Sequence, residues 1–411
     1  MKRPQYFSAA IRMPGSELPS TSRAANTSAG YLYGGFVATG MVTTLLGPVL
    51  PFLTARWQLD DMHAGLLFTA QFAGSMAGVL LSSVILTRRG FRPSLVAGFG
   101  LMGIGVAALG FVTWIVGLIS VTLFGLGLGL TIPTTNLLIA ESSPQRRAAA
   151  LNTLNLAWCV GAVCFPFIAT WFVRIHQLPA MILLLGSGVF VFSLIFASPL
   201  ATIVERRDTP QTDATPKASR VQARVLAILG VLFFLYVGTE GAVSGWVATF
   251  GRRIHAGAGI GWVVVPSFFW GGLLLGRALA PLILRRIREI PLARAGLVLA
   301  TLGTCAVLIS RNLPALTAGV GIAGLGLSTV FPITIAELSR RFEGSASRFV
   351  GAMFALGGLG GATLPWLVGY VSNKFGNLRA GLWVPVAGCA ILLALYLLRW
   401  DTAAREAAAR N

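Results

Sequence analysis

Apolar runs long enough to cross a bilayer follow one another along nearly the whole of this chain, most of them separated by only a few residues. No other feature restricts the fold so sharply. Each helical residue rises about 1.5 Å, so a hydrocarbon core of about 30 Å takes roughly 20 mostly apolar residues. Inside that core every backbone N–H and C=O has to be satisfied within the chain, which leaves only helices and closed barrels, and runs of this length suit helices. Spans are expected near 31–54, 63–86, 94–113, 115–140, 149–173, 178–199, 225–250, 261–284, 291–310, 313–336, 346–371 and 379–399. Ser94 to Ala140 is one apolar run, too long for a single crossing, and a break is expected near Trp114. Only 11% of the 411 residues are charged, against about 25% in a soluble domain. The expectation is an all-α membrane protein of 12 transmembrane helices, embedded in a lipid bilayer, with no room for a soluble catalytic domain. An enzyme is not expected.

The formal net charge of +19 raises the question of nucleic acid. Binding of that kind needs a contiguous basic face. Here the basic residues stand in short clusters between apolar runs, so no nucleic acid is expected. The clusters alternate. With both termini on one side, the even-numbered loops and the tails hold 24 Lys and Arg, among them Arg88, Arg89, Arg92, Arg146, Arg147, Arg206, Arg207, Arg285, Arg286 and Arg288. The other side holds seven: Arg56, Arg174, Arg252, Arg253, Arg311, Lys374 and Arg379. Cytoplasmic loops carry the basic excess, so both termini are expected in the cytoplasm of a multi-pass protein of the cell inner membrane. Residues 1–30 lack the apolar core of a cleaved signal peptide and read as a disordered cytoplasmic tail. Cys159, Cys164, Cys305 and Cys389 fall within spans without CxxC or Cys/His spacing, so neither disulfides nor a metal site is expected. His63, His176 and His255 fall at expected outer loops.

One stretch differs from the rest. Residues 201–224 contain ERRDTPQTDATPKASR, rich in Thr, Pro and charge, and read as a cytoplasmic linker between an N-terminal half (31–200) and a C-terminal half (225–400), with a short tail at 401–411. The halves repeat each other. GLGLTIPTTNLLIAE at 127–141 answers GLGLSTVFPITIAE at 324–337, Gly161 and Pro166 answer Gly360 and Pro365, and Gly74, Arg88 and Arg89 answer Gly271, Arg285 and Arg286. Two parallel six-helix repeats with a midplane site between them are one of the large transporter architectures.

On these residues the layout resembles the major facilitator superfamily. The superfamily's loop between the second and third spans has the form G-x-L-a-D-R-x-G-R-R, and SVILTRRGFRP keeps Arg88, Gly90 and Arg92, which the resemblance makes structural or gating residues, but has Thr87 in place of the Asp. Three segments, at 127–155, 236–250 and 324–342, are similar to the fucose, glucose/galactose and proton symporter group. That resemblance implies amide side chains for substrate at Asn136 and Asn155, and proton-handling acids in the first and fourth spans. The first span has no acid, and Ile132 stands where the fourth-span carboxylate would fall.

Ionisable groups deep in a span cost at least about 2.5–3.5 kcal/mol and ask for a reason. Two qualify, Glu240 and Arg277. Glu240, flanked by Gly238, Gly241 and Gly245, reads as a substrate-contacting or proton-coupling carboxylate, or as an ion-pair partner of Arg277. At about 1.5 Å per residue Glu240 lies roughly 24 Å above Arg224, and Arg277 roughly 12 Å above Arg285. A direct pair therefore requires both side chains to reach along the membrane normal. Glu141 and Glu337 close the repeated segment, each followed by arginines, and read as gating or packing salt bridges. Asn136, Asn152, Asn155 and Gln71 offer amides to hydroxyl groups or, alternatively, to neighbouring helices; Asn152 and Asn155 share a helical face. Trp246 is the candidate for stacking on a sugar.

The expected function is secondary transport of a small hydroxylated solute, a monosaccharide above all, by alternating access in a monomer, with protons as the candidate coupling ion. Rival readings are an exporter of amphipathic drugs or metabolites and a transport-inactive membrane sensor. The phosphate loop GxxxxGK[ST] does not occur, so ATP is not expected as the direct driver, and no cofactor is expected.

Overall fold

The structure, a computed structural model, describes residues 21–201, 220–255, 259–341 and 346–408. Most of the expected tail 1–30 and linker 201–224, and the end of the tail 401–411, lie outside the described residues. Among the described residues, helices Thr21–Thr43, Arg220–Ile254 and Trp383–Ala408 reach into segments expected to be irregular. The helices are α1 (Thr21–Thr43), α2 (Leu46–Trp57), α3 (Asp61–Arg89), α4 (Phe91–Leu109), α5 (Trp114–Ser142), α6 (Arg147–Arg174), α7 (Leu178–Ala197), α8 (Arg220–Ile254), α9 (Val265–Ile283), α10 (Glu289–Ile309), α11 (Leu313–Leu327), α12 (Val330–Arg341), α13 (Ala346–Phe375), α14 (Leu378–Gly381) and α15 (Trp383–Ala408). Among the described residues, eleven spans pass as membrane-crossing by length and composition, and the bent pair α1–α2 makes a twelfth. The long apolar run does break ahead of Trp114, where α5 starts.

Two expected spans are interrupted. The first bends by 44° between Thr43 and Leu46. Pro48 has no N–H for the carbonyl of Thr44, and its ring crowds that carbonyl. Thr43 and Thr44 turn their hydroxyls back onto the carbonyls of Thr39 (2.8 Å) and Gly40 (3.2 Å), which also bends a helix. The tenth breaks between α11 and α12, four residues before Pro332, for the same reason.

Packing reproduces the sequence repeat. In the N-terminal half the main partners are α3 with α5, α4 with α5, α4 with α7, and α1 with α6. The corresponding spans of the other half pair in the same way: α9 with α11, α10 with α11, α10 with α15, and α8 with α13. The matched glycines sit at equivalent crossings. A Cβ on Gly161 would run into the carbonyl of Val37 on α1, and one on Gly360 into the carbonyl of Phe234 on α8. Lipid gives helices no hydrophobic reason to associate, so close backbone approach is what makes such crossings stable.

The halves meet along one seam. It is formed by α3 against α13, α6 against α9, and α2 against α8. Exchanging the halves turns the first of these pairs into the second, so the seam has a pseudo-two-fold axis. Contacts run from Gly65 on Trp366, through Thr69, whose hydroxyl donates to the Ala362 carbonyl (2.8 Å), and Phe72 on Gly361, to Met76 on Gly358. From Asp61 to Met76 this is about 22 Å of helix. The seam is closed at the end of the molecule opposite the linker, called here the far end. Beyond Met76, Leu80 is 71% exposed and the halves part toward the linker end.

Candidate functional site

At the inner limit of the closed seam, polar groups from both halves converge. Glu240 is at the centre of its span, fourteen residues from either end of Leu226–Ile254, so about 21 Å from each. Tyr236, one turn earlier, donates its hydroxyl to Glu240 Oε1 at 3.2 Å. The same hydroxyl lies near Arg277 of α9, and Arg277 Nη1 reaches across the seam to Cys159 Sγ of α6 at 4.0 Å. No ion pair closer than 4.0 Å joins Glu240 to Arg277 among the described residues; Tyr236 stands between them. Arg277 Nε is buried without a hydrogen-bond partner. The cluster therefore holds one acid, one cation with a donor to spare, and a hydroxyl connecting them.

The bend of the first span is part of the same region. Gln71, buried on α3, donates to the carbonyl of Thr43 (3.2 Å), and Trp158 Nε1 lies 3.4 Å from the Thr43 hydroxyl. Trp158 meets Trp270 of α9 edge to face across the seam, with ring centroids 5.4 Å apart. Gln71 thus braces the bend with one amide N–H.

Helical position decides where the other amides point. On α6 the exposed apolar side chains Leu156, Val160, Phe167 and Trp171 make the lipid stripe. Asn155 and Cys159 are four residues apart, and Asn152 is seven from Cys159, so all three lie on the seam face instead. Both asparagines are exposed although Cys159 is buried. They face the cleft where α9 has parted from α6. Asn136 differs. It continues the row Gly125, Gly129 and Ile132 along α5, and a Cβ on either glycine would strike α3. Its amide donates to its own helix at the Ile132 carbonyl (2.8 Å), as that of Asn155 does at the Leu151 carbonyl (2.9 Å), so it is the α3-facing row, not this bond, that assigns Asn136 to the α3–α5 contact.

Trp246 has no open face for a solute in this conformation. It is fully buried, its indole N–H donates to the Pro365 carbonyl at 2.8 Å, and Phe68 packs on it with centroids 6.2 Å apart. The glycines around Glu240 are packing positions: a Cβ on Gly238 would meet the Gly360 carbonyl of α13, one on Gly241 the Pro365 ring, and one on Gly245 the Phe68 ring. The repeated acids have also diverged. Glu337 is bonded to Arg340, which in turn bonds Glu289 of α10. Glu141 is exposed and makes no ion pair with Arg146, Arg147 or any other described residue. Arg88 is exposed, and Arg92 donates to the carbonyls of Ser198 (3.2 Å) and Ala201 (2.8 Å), clasping the end of α7.

The far end carries a lock between the halves. Arg253 at the end of α8 holds Asp61 at the start of α3 with two hydrogen bonds, and Ser372 of α13 donates to the same carboxylate. Asn373 donates to Asp60 at 3.3 Å, and Arg252 to the Pro51 carbonyl at 2.6 Å. Asp60 caps α3 through the His63 N–H. Partial burial alone would raise its carboxyl pKa, but the bonds from the His63 N–H and ring outweigh that and hold it below the usual carboxylate value. Its contribution to stability is accordingly present above the unfolded carboxylate pKa and fades as pH falls through the lowered one.

Tyr236 and Cys159 were not singled out from sequence. Tyr236 carried a signal, since a residue four before a buried carboxylate shares its face. Cys159 carried none, because its role depends on a helix from the other half.

Residues 32–310 match the Major Facilitator Superfamily. The glucose/mannose transporter GlcP of Bacillus subtilis (strain 168) is 23% identical over 360 residues, covering 84% of this chain and 88% of that protein. A bacterial homologue of the human lysosomal transporter Spinster, solved inward-facing and unoccupied, aligns with a TM-score of 0.70 and 17% identity over 93% of this chain and 97% of its own. FucP, a transporter solved in the outward conformation, aligns with a TM-score of 0.62 and 16% identity over 92% and 99%.

Proposed function

Given that the chain belongs to the Major Facilitator Superfamily, we propose that it is a secondary transporter that moves a small hydroxylated solute, a monosaccharide in the first instance, by alternating access through the cleft between its halves. The observation carrying this reading is the Glu240–Tyr236–Arg277 cluster at mid-depth, where the closed seam gives way to the cleft. Asn152 and Asn155 flank the cleft with amides able to donate to and accept from hydroxyls. The likeness to GlcP supports a sugar as the cargo. Glu240 is the proton-coupling group, since among the described residues it is the one carboxylate at the centre of a span. The protein works as a monomer in the cell inner membrane with both termini cytoplasmic, so the conformation described here faces inward.

Uptake of a panel of radiolabelled monosaccharides into proteoliposomes, with and without a pH gradient, tests the reading. Saturable uptake of at least one sugar is expected. Asn155→Leu should then raise KM about tenfold or more, the loss of about 1.4 kcal/mol expected from an amide hydrogen bond to substrate. No sugar uptake, together with expulsion of amphipathic dyes, would favour the exporter reading. Orientation has its own test. Cysteines introduced at 205 and 215 should react with an impermeant maleimide only after the cytoplasmic side is opened, and reaction in intact cells would reverse the topology.

A further inference from the structure

Positive charge is sparse at the far end, yet five of its seven cations belong to the C-terminal half: Arg252, Arg253, Arg311, Lys374 and Arg379. Three of them line a cavity of about 340 Å³ together with Phe250 and Asn377. The cavity lies between the end of α8, the turn joining α10 to α11, and α14. Its walls hold two of the three guanidinium groups in place. Arg379 donates to the carbonyls of Leu308 (3.2 Å) and Ser310 (2.7 Å) and lies over the Phe250 ring at 5.4 Å. Asn377 Oδ1 accepts the Arg379 N–H at 2.9 Å, leaving its amide N–H groups for a ligand. Arg253 bonds Asp61. Arg311 is exposed and has no ion-pair partner among the described residues.

Charge does not balance. Carbonyls and a ring face satisfy donors without cancelling charge, and among the described residues Asp61, paired with Arg253, is the one carboxylate bonded to any of the three guanidinium groups. Like charges gathered in a concave wall raise the local concentration of counter-ions, and guanidinium forks match the oxyanions of phosphate and carboxylate groups. We propose that this cavity is an oxyanion site, separate from the central cluster, that takes a phosphate group at the far end of the C-terminal half. The phosphate comes either from a soluble phosphate compound or from the headgroup of an anionic phospholipid in the adjoining leaflet.

The test uses the full chain, purified in a neutral detergent at low ionic strength. Binding of ³²P-labelled inorganic phosphate is measured by equilibrium dialysis, and retention of phosphatidylglycerol against phosphatidylcholine by native mass spectrometry. Wild type is expected to bind one of the two phosphate sources saturably. Arg311→Gln, which removes an exposed side chain without an ion-pair partner among the described residues, should weaken that binding at least tenfold, and Arg311→Gln with Arg379→Gln should abolish it. Arg88→Gln, at the opposite end, should bind as wild type does. Loss of inorganic phosphate assigns a soluble source, and loss of phosphatidylglycerol alone assigns the headgroup. No saturable binding of either probe by wild type, or binding unchanged in Arg311→Gln, overturns the site.

Discussion

Glu240→Gln is expected to abolish accumulation of substrate against its gradient while leaving exchange across the membrane intact. With one proton carried per solute, a difference of one pH unit sustains a concentration ratio of about ten, equivalent to about 1.4 kcal/mol. The variant keeps the shape of Glu240 and can still pair with the Tyr236 hydroxyl, but it cannot titrate, so the ratio should fall from about ten to one. The opposing account makes Glu240 only the counter-charge of Arg277. Removing one member of a buried charge pair costs about 3–5 kcal/mol. On that account Glu240→Gln would lose folding and expression, and adding Arg277→Gln would restore part of the loss. The absence of a direct ion pair, with Tyr236 between the two groups and Arg277 Nε unpartnered, favours the first outcome. Accumulation and pH dependence unchanged from wild type would remove Glu240 from coupling altogether.

An equally large effect is expected at the far end. Asp61→Cys with Ser372→Cys, in a chain whose four native cysteines have been replaced, puts two thiols where a carboxylate and a hydroxyl now share a hydrogen bond. Oxidation should join α3 to α13, hold the seam shut and reduce transport to below about a twentieth, and a reductant should restore it. A disulfide tolerates only a narrow range of separations, so the bond itself reports that the closed seam is populated in the membrane. If the cross-link forms and transport continues, the far end does not need to open and alternating access fails for this chain.

Much of the fold could be read directly from residue order. Span length and the repeat depend on local composition and on spacing within one chain segment, and Gly161 and Gly360 occupy the equivalent crossings that their matching positions implied. The breaks in the first and tenth spans were legible in principle, from Pro48 and Pro332, but an apolar run hides a bend because both arms remain hydrophobic. The site was legible only in part. Glu240 and Arg277 stood out because lipid makes any buried charge conspicuous. Their distance along the membrane normal argued against contact, and Tyr236 supplies the intermediate that residue counting cannot show. Asn136 and Asn155 looked alike as sequence, and only the helix each faces separates them. Trp246 shows the reverse problem: its distance from Glu240 suits a cavity wall, yet Phe68 from the other half covers it.

The fate of the two repeated acids has a bearing on which half yields first. Glu337 is tied through Arg340 to α10, so the linker end of α12 is fastened sideways to a neighbour. Glu141 has no such tie among the described residues, and the last turn of α5 is fastened mainly through its own backbone. Local opening costs least where side-chain ties are fewest. Amide protons in the last turn of α5 should therefore exchange with solvent ahead of those in α12, and the mouth of the cleft widens by fraying on one bank while the other stays firm. A duplicated pair of helix ends has become, on this account, one pliant wall and one fixed wall.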